Sequence, residues 1–249
     1  MKVVNAYWEV ENIGKVTVEI TLDKNDLLKA PRDIVNYVTE TKERYKSEYT
    51  VIKIPSGNPM TGVEFSKNGF FHIETQLNLK AVREDVEASL ENYGNLFTDV
   101  EIEFVTDLKE LENIQTELIK GIFTKDRISL DPNFDKSLAG KRYSNWVKNE
   151  FERGAQVFYA KLTGRKIGFS LWRYHKSSAF AVLSGLFNEY RYSNLGGNIY
   201  FVAIKNALQK GSRNFYTSVS SNNLESLRLH ELTGFRINSL YEVYVHHER

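Results

Sequence analysis

The stretch from Phe180 to Gly211 decides the fold. It reads FAVLSGLF (180–187), then NEYRYSNLGG (188–197), then NIYFVAIKNALQKG (198–211). The first part is a short apolar run bounded by turn residues, which is typical of a largely buried strand. The third part is too long for a strand, and the spacing of its apolar residues predicts a helix that ends at Gly211. A glycine-rich turn therefore opens directly onto a helix N-terminus.

Such a turn favours an anion. It leaves several backbone N–H groups without an intrahelical partner, and these converge with the positive end of the helix dipole. The same arrangement binds phosphate and pyrophosphate groups in many proteins. A tight strand-to-helix connection without a ligand has the same composition, so a second motif is needed to choose between the two.

The residues of this turn carry a resemblance to a known family. Arg191-x-x-Asn194-x-Gly196 resembles the Arg/Gln-x-x-Gly-x-Gly/Ala motif with which the GNAT superfamily of N-acetyltransferases holds the pyrophosphate of acetyl-CoA. Asn194 stands where glycine is usual. Because Asn is the non-glycine residue that best tolerates a left-handed backbone, we expect the turn to keep its shape.

A second motif follows downstream. Asn223-Leu-Glu-Ser226-Leu-Arg-Leu-His230-Glu-Leu-Thr-Gly234-Phe235 resembles the Asn-x-x-Ala-x-x-x-Tyr-x-x-x-Gly-Phe segment of the same family, with Ser226 for Ala and His230 for Tyr. The element order predicted from Val100 onward is β, α, α, β, β, β, α, β, α, β, which matches the family. The resemblance covers about the last three-fifths of the chain.

The resemblance implies an α/β (α+β) fold of the GNAT acyl-CoA N-acyltransferase type. In this fold a mixed, mostly antiparallel central sheet is flanked by helices. We assign residues 96–249 to this domain and residues 1–95 to a smaller N-terminal α/β domain. Asn68-Gly69-Phe70 before one alternating segment parallels Thr233-Gly234-Phe235 before another. This parallel suggests that the first domain is a partial, degenerate GNAT-like unit, although a coincidental tripeptide is an equal alternative.

The family's cofactor-binding residues can be transferred by position. Backbone N–H groups of the turn would hold the pyrophosphate of acetyl-CoA, Asn223 would reach its pantetheine arm, and a backbone N–H near the end of the central strand would hold the acetyl carbonyl. The cofactor-binding residues are then Leu186, Phe187, Arg191, Tyr192, Ser193, Asn194, Leu195, Gly196, Gly197 and Asn223.

Three residues are candidates for the chemistry. Leu186 would supply the backbone N–H, Ser184 could order a water, and His230 could protonate the leaving thiolate, because an ordinary imidazole titrates near neutral pH. His230 could equally be a packing residue on its helix. No carboxylate lies between Phe180 and Phe187, so the general base stays open among Glu189, His175 and Asp131.

The acceptor is suggested by a loop before the core. Residues 126–134 (DRISLDPNF) with Trp146 resemble the corresponding region of bacterial TDP-fucosamine acetyltransferases. This likeness implies an amino-sugar nucleotide as acceptor. Arg127 would be its phosphate ligand, because guanidinium groups bind phosphate in a bidentate manner, and Asp131 would be a second contact.

Composition narrows the remaining choices. The chain has 249 residues, a formal net charge of +1 and no cysteine. We therefore expect no nucleic-acid or membrane partner and no thiol that could carry the acetyl group, which predicts direct transfer in a ternary complex. No signal peptide or spanning segment is evident, which favours the cytoplasm. We expect no metal, and the adjacent His246 and His247 to form a frayed end. A homodimer is left open.

The leading interpretation is an acetyl-CoA-dependent N-acetyltransferase that acts on a small primary amine. Alternatives within the enzyme class are peptide, polyamine and antibiotic N-acetylation. A non-catalytic acyl-CoA-binding module is the alternative outside it. An acidic acceptor groove would favour a polyamine, and a long open groove would favour a peptide.

Overall fold

The structure, a computed structural model, describes residues 1–248. Its ten strands are β1 (Lys2–Asn5), β2 (Thr17–Thr21), β3 (Tyr49–Pro55), β4 (Phe71–Val82), β5 (Glu101–Phe104), β6 (Gln156–Leu162), β7 (Arg165–His175), β8 (Ser178–Leu186), β9 (Asn214–Ser220) and β10 (Arg236–His247). The α-helices are α1 (Glu9–Ile13), α2 (Pro31–Tyr45), α3 (Pro59–Lys67), α4 (Arg83–Tyr93), α5 (Leu108–Ile119), α6 (Arg127–Leu130), α7 (Ser137–Glu152), α8 (Gly196–Gln209) and α9 (Leu224–Leu232).

All ten strands form one sheet in the order β1-β2-β3-β10-β4-β9-β8-β7-β6-β5. The pairs β2/β3 and β8/β9 are parallel, and the other pairs are antiparallel. The predicted fold class, a mostly antiparallel mixed sheet with flanking helices, is confirmed.

The middle of the sheet is built from two interleaved β-α-β units. Strand β10 lies between β3 and β4, and strand β4 lies between β9 and β10. Each unit therefore leaves a gap one strand wide that the last strand of the other unit fills. The strands β4 and β10 are antiparallel neighbours over most of their length, from Arg236 opposite Lys80 to Val245 opposite Phe71.

The two units repeat with a constant spacing of 165 residues. Adding 165 to the first residue of α2, β3 and α3 gives the first residue of α8, β9 and α9, and adding 165 to the bounds of β4 gives those of β10. Both units also turn through a left-handed glycine before their last strand, Gly69 (φ 82°) and Gly234 (φ 84°). The sequence parallel at these two glycines is thus part of a longer structural correspondence.

Helices cover both faces of the sheet. Helix α8 packs through Tyr200, Ala203 and Ile204 on one face, which we call the α8 face. The opposite face carries α5, α6 and α7, and we call it the α7 face. Helix α7 spans this face, because Ala139 near its start packs on Val243 and Val245 of β10, whereas Val147 near its end packs in a core with strands β6 and β7.

Some local expectations from the sequence were wrong. Residues 9–13 form α1 although alternation predicted strand, and residues 127–130 form α6 within a predicted loop. The two adjacent histidines do not form a frayed end, because His246 and His247 pair with Thr50 and Tyr49 in the sheet. The predicted domain boundary falls in a 3-10 turn, Gly94–Leu96. The division itself stays a prediction, since one sheet contains strands from both sides of it.

Candidate active site

The parallel strands β8 and β9 separate as they run forward. They pair only over Ser178–Phe180 and Asn214–Tyr216, and the last contact between them is the Thr217 hydroxyl, which donates to the Ala181 carbonyl at 3.0 Å. Beyond it, β9 stays paired with β4 while residues 182–186 of β8 have no strand on that side. The result is a V-shaped opening in the sheet, which we call the split.

The glycine-rich turn lies at the open end of the split. Asn194 has a φ of 61°, so the predicted left-handed conformation at this position is observed. Ser193 donates its backbone N–H to the Tyr190 carbonyl at 3.0 Å, and its hydroxyl accepts from the Leu195 N–H at 3.3 Å. These bonds hold the turn in a fixed shape in front of α8.

Four N–H groups of the turn have no acceptor within residues 1–248. They belong to Tyr192, Asn194, Gly196 and Gly197. The first turn of α8 carries no acidic residue, so nothing in the chain neutralises the helix dipole there. A Cβ on Gly196 would meet only the Leu186 side chain, at 3.7 Å, which leaves room for a ligand. The turn therefore fits a pyrophosphate group.

The equivalent helix of the other unit lacks these features. Helix α2 begins at Pro31, which has no N–H to offer, and Ala30 precedes it in extended conformation. Strands β2 and β3 also stay paired, from Thr17 opposite Tyr49 to Thr21 opposite Lys53. Within residues 1–248, only the β8/β9 unit combines a split with such a turn.

The backbone of Leu186 points into the split. Phe187 donates its N–H to the Ile167 carbonyl of the hairpin at 2.9 Å. Because successive N–H groups of a strand point to opposite edges, the N–H of Leu186 is directed away from β7 and toward the split. The Phe187 ring itself packs in the core beneath α5 and α7.

Ser184 belongs to a chain of hydroxyl groups on the α8 face. The Trp172 indole N–H donates to the Ser170 hydroxyl at 2.8 Å, and the hydroxyls of Ser170 and Ser184 are 2.5 Å apart. When Ser170 donates to Ser184, the Ser184 O–H remains free for a group in the split. Sequence reasoning missed Ser170 and Trp172, since both lie on β7 and no motif marks them.

His230 is enclosed rather than open to the split. Its ring lies against Tyr200 and Phe235, with centroid distances of 4.6 and 5.2 Å, and it is 6% exposed. Burial lowers the pKa of His230 to about 4. The neutral ring donates from Nδ1 to the Ser226 carbonyl at 2.6 Å, and buried Nε2 has no partner within residues 1–248. A ring in this state has no proton to give, so the geometry favours a packing role.

Arg127 lies in a buried cluster of charges on the α7 face. It forms ion pairs with Glu19 and, at 3.6 Å, with Glu9, which also binds Arg142 at 2.7 Å. Burial would raise the pKa of Glu19, but the Arg127 guanidinium outweighs it and lowers that pKa to about 2. The charge of Arg127 is therefore already neutralised by two carboxylates.

Asp131 is likewise occupied. Its carboxylate is 2.8 Å from His247 Nε2 and accepts the Asn133 backbone N–H at 3.0 Å. It is 2% exposed. Arg127 and Asp131 thus contact the first unit and the end of β10, and the structure does not bring them to the split. The other open candidates for a general base, Glu189 and His175, are exposed at opposite ends of β8.

Asn223 begins α9 at the edge of the split. Its side-chain oxygen accepts the Ser226 N–H at 3.3 Å as an N-cap, so its amide N–H₂ remains available. Two residues later, Glu225 forms a 2.7 Å ion pair with Lys125, which belongs to the loop between α5 and α6. This loop also covers β8, because a Cβ on Gly185 would meet the Phe123 ring at 2.7 Å.

Glu117 of α5 fixes the start of the turn. Its carboxylate accepts the Asn188 N–H at 2.8 Å and binds Lys120 at 2.7 Å. Burial would raise the pKa of Glu117, but these two partners outweigh it and lower that pKa. Sequence reasoning missed this residue, because its partner is a backbone group 71 positions away.

Two further observations concern residues 1–248. No three acidic or histidine side chains converge there in a geometry that could hold a metal ion. The helices are all too short or too polar to span a bilayer.

No protein-family model and no curated protein matches the sequence. Solved structures do resemble this one. A functionally unknown conserved protein from Staphylococcus epidermidis is 12% identical with a TM-score of 0.61, over 94% of this chain and 85% of the other. A GCN5-related N-acetyltransferase from Sphaerobacter thermophilus is 11% identical with a TM-score of 0.60, over 99% and 75%.

A third similar structure is a tandem GNAT protein from the clavulanic acid biosynthesis pathway. It is 11% identical to this chain with a TM-score of 0.55, over 87% of this chain and 69% of the other. The split, the turn in front of α8 and these likenesses agree with one another. The chain has the fold of the GCN5-related N-acetyltransferases.

Proposed function

We propose that this protein transfers an acetyl group from acetyl-CoA to the primary amine of a small acceptor. The observation that carries the proposal is the group of four N–H donors without acceptors at the start of α8, directly beside the split between β8 and β9. An anion-binding turn next to an opening in the sheet provides a place for a pyrophosphate and for the arm attached to it.

The cofactor supplies an acetyl thioester, and the chain supplies donors on both sides of it. The N–H of Leu186 would stabilise the negative charge that develops on the acetyl oxygen. On the α8 face, the Ser184 hydroxyl would donate to the departing thiolate, whose ordinary pKa near ~8.5 makes it a tolerable leaving group. The free amide of Asn223 would bind the arm of the cofactor.

The amine would attack directly in a ternary complex. Its nitrogen forms a bond to the acetyl carbon, the carbon–sulfur bond breaks, and the surplus amine proton leaves to water. The chain has no cysteine, so no protein thiol can carry the acetyl group between two half-reactions. We assign no general base, because Glu189 and His175 lie on the surface and the Asp131 carboxylate is bound to His247.

An amino-sugar nucleotide remains our proposed acceptor within this class. Arg127 is a poor phosphate ligand in this arrangement, because a phosphate would have to displace Glu19 and Glu9 in a buried place. The anionic part of an acceptor therefore needs a different site. Polyamine, peptide and antibiotic amines are the competing acceptors.

We also propose that residues 1–95 are a degenerate unit of the same kind. The constant spacing of 165 residues between equivalent elements supports this origin. The likeness to a tandem GNAT protein supports it as well. With Pro31 at the start of α2 and with β2 and β3 paired, the first unit would bind no acetyl-CoA.

The test is thermal unfolding with acetyl-CoA and with CoA. A ligand at about 100 times its dissociation constant stabilises a protein by about 2.7 kcal/mol, which is a readily visible shift. Gly196→Glu places a carboxylate where the pyrophosphate would lie, so we expect it to abolish the shift. A carboxylate in the first turn suits a helix, so the variant should unfold normally without ligand.

The matched control is Ala30→Glu, which puts the same charge at the start of α2. We expect it to keep the full shift with acetyl-CoA. A wild-type protein that shifts with neither ligand would contradict the proposal. A shift without amine-dependent release of CoA across nucleotide sugars, polyamines and peptides would favour the non-catalytic acyl-CoA-binding module.

A further inference from the structure

Four side chains form a row across four adjacent strands on the α7 face. Arg173 of β7 lies opposite Phe180 of β8, Phe180 lies opposite Tyr216 of β9, and Tyr216 lies opposite Lys80 of β4. The rings of Phe180 and Tyr216 are stacked, with centroids 5.2 Å apart and planes 21° apart. Arg173 and Lys80 lie over the outer sides of these rings, at 5.9 and 5.8 Å. We call these residues the cationic row.

The row is open to solvent. The neighbours of its members along the strands, such as Ala179, Phe215 and Leu79, point to the α8 face and are buried there. Phe180 and Tyr216 point to the other face and belong to none of the hydrophobic cores of residues 1–248. Two partly exposed aromatic rings thus form a flat surface between two cations.

The row carries uncompensated positive charge. Arg173 approaches Glu150, a buried residue of α7, at 3.4 Å. Lys80 makes no ion pair with any residue from 1 to 248. This state differs from that of Arg127, whose charge is neutralised by two carboxylates.

The row lies one step along the strands from the split. Ser218 and Asn78 follow Tyr216 and precede Lys80 by two residues, which is a rise of about 7 Å. The Asn78 side-chain oxygen accepts from the Ser218 hydroxyl at 2.7 Å and from the Gln76 amide at 2.8 Å. A neutral, polar floor therefore connects the mouth of the split with the cationic row.

We propose that the cationic row binds the anionic and planar part of the amine acceptor, a phosphate or carboxylate beside a ring, while the amine enters the split. This inference rests on the proposed function. It restricts the acceptor to amines that carry a negative charge about 7–10 Å from the nitrogen. Polyamines are excluded as preferred acceptors, because the row would repel them. It also gives the first unit a part in acceptor binding, through Lys80 and Asn78 of β4.

The experiment measures binding to the full chain by calorimetry in the presence of CoA, so that no transfer occurs. The phosphate probe is uridine diphosphate, and the carboxylate probe is 4-(2-aminoethyl)benzoate. Phenethylamine is the same amine without the carboxylate, and spermidine is the polycation. The variants are Lys80→Glu and, as a matched control, Lys109→Glu, which reverses the charge of an exposed lysine on α5.

We expect Lys80→Glu to weaken binding of an anionic probe about threefold to tenfold, as a partly exposed charge contact would. Phenethylamine should bind equally to both variants and to the wild type, and Lys109→Glu should change nothing. Tyr216→Leu should weaken the ring-containing probes while keeping the bulk of the side chain. Binding of one anion alone identifies whether phosphate or carboxylate is preferred.

Two results would overturn the inference. One is affinity for both anions that does not depend on Lys80, including no measurable affinity. The other is a preference for spermidine over every anionic probe. The proposed function is judged separately by the thermal shift with acetyl-CoA. A shift without Lys80-dependent anion binding removes the row alone, and anion binding without a shift removes the acetyl transfer alone.

Discussion

His230 and Phe65 occupy equivalent positions, 165 residues apart, in the helices α9 and α3. Each ring contacts the phenylalanine that precedes the next strand, with centroid distances of 5.2 Å for His230 and Phe235 and 5.0 Å for Phe65 and Phe70. The first unit thus uses a purely apolar ring where the second uses an imidazole. This equivalence suggests a substitution that separates packing from proton transfer.

His230→Phe should leave kcat within about twofold and remove a pH dependence of stability. The pKa of His230 falls from 6.5 to about 4 on folding, so the unfolded chain binds a proton more readily. The histidine therefore costs stability as the pH falls from 6.5 toward 4, by up to roughly 3 kcal/mol. Chemical denaturation at pH 7 and pH 5 measures this difference. A fall in kcat of a hundredfold would instead restore the role of general acid.

Arg127→Met should act on stability rather than on acceptor binding. The change leaves the Glu19 and Glu9 carboxylates buried with less compensation, which typically costs roughly 3–5 kcal/mol. Adding Glu19→Gln should recover part of that loss. Urea denaturation of the two single variants and the double variant measures the coupling. An unchanged free energy of unfolding with a raised KM for the amine would return Arg127 to the acceptor site.

Glu117→Ala should raise the dissociation constant for acetyl-CoA about threefold to tenfold, with a smaller effect on kcat. The carboxylate fixes the Asn188 N–H at the start of the turn, and its loss lets the free N–H groups move apart. Glu117→Gln keeps an acceptor oxygen at the same place, so it should retain most of the affinity. Equal losses in both variants would show that the negative charge, rather than the hydrogen bond, is needed.

Ser184→Ala should lower kcat about tenfold with little change in either KM, because the hydroxyl would act only as the thiolate departs. Ser178→Ala, at the other end of β8, is the matched control. Steady-state kinetics with acetyl-CoA and an active amine measures both. A rise in the KM for acetyl-CoA at constant kcat would make Ser184 a binding residue instead.

Local sequence signals predicted the cofactor side well. The apolar run, the turn and the helix from Phe180 to Gly211 are contiguous, so short-range patterns contain the information. The left-handed backbone of Asn194 followed from its residue type and its place in the motif. The transferred roles of the turn residues stay predictions that the thermal-shift experiment tests.

The acceptor side could not be predicted in the same way. Arg127 is a reasonable phosphate ligand by residue type, but its partner Glu19 lies 108 positions earlier. His230 sits on a helix whose enclosed face is set by Tyr200, from another helix. The alternation in residues 71–79 correctly predicted a strand, but it carries no information on which strands become its neighbours. These properties depend on long-range pairing.

The interleaving of β4 and β10 has a consequence for how the chain reaches its final state. The slot between β3 and β4 can close only when the last strand arrives, about 165 positions after its counterpart in the first unit. Contacts between such distant segments form slowly, because loop closure must precede them. During synthesis on the ribosome, the first unit therefore waits with two unpaired strand edges. A chaperone that shields such edges would be most useful in that interval.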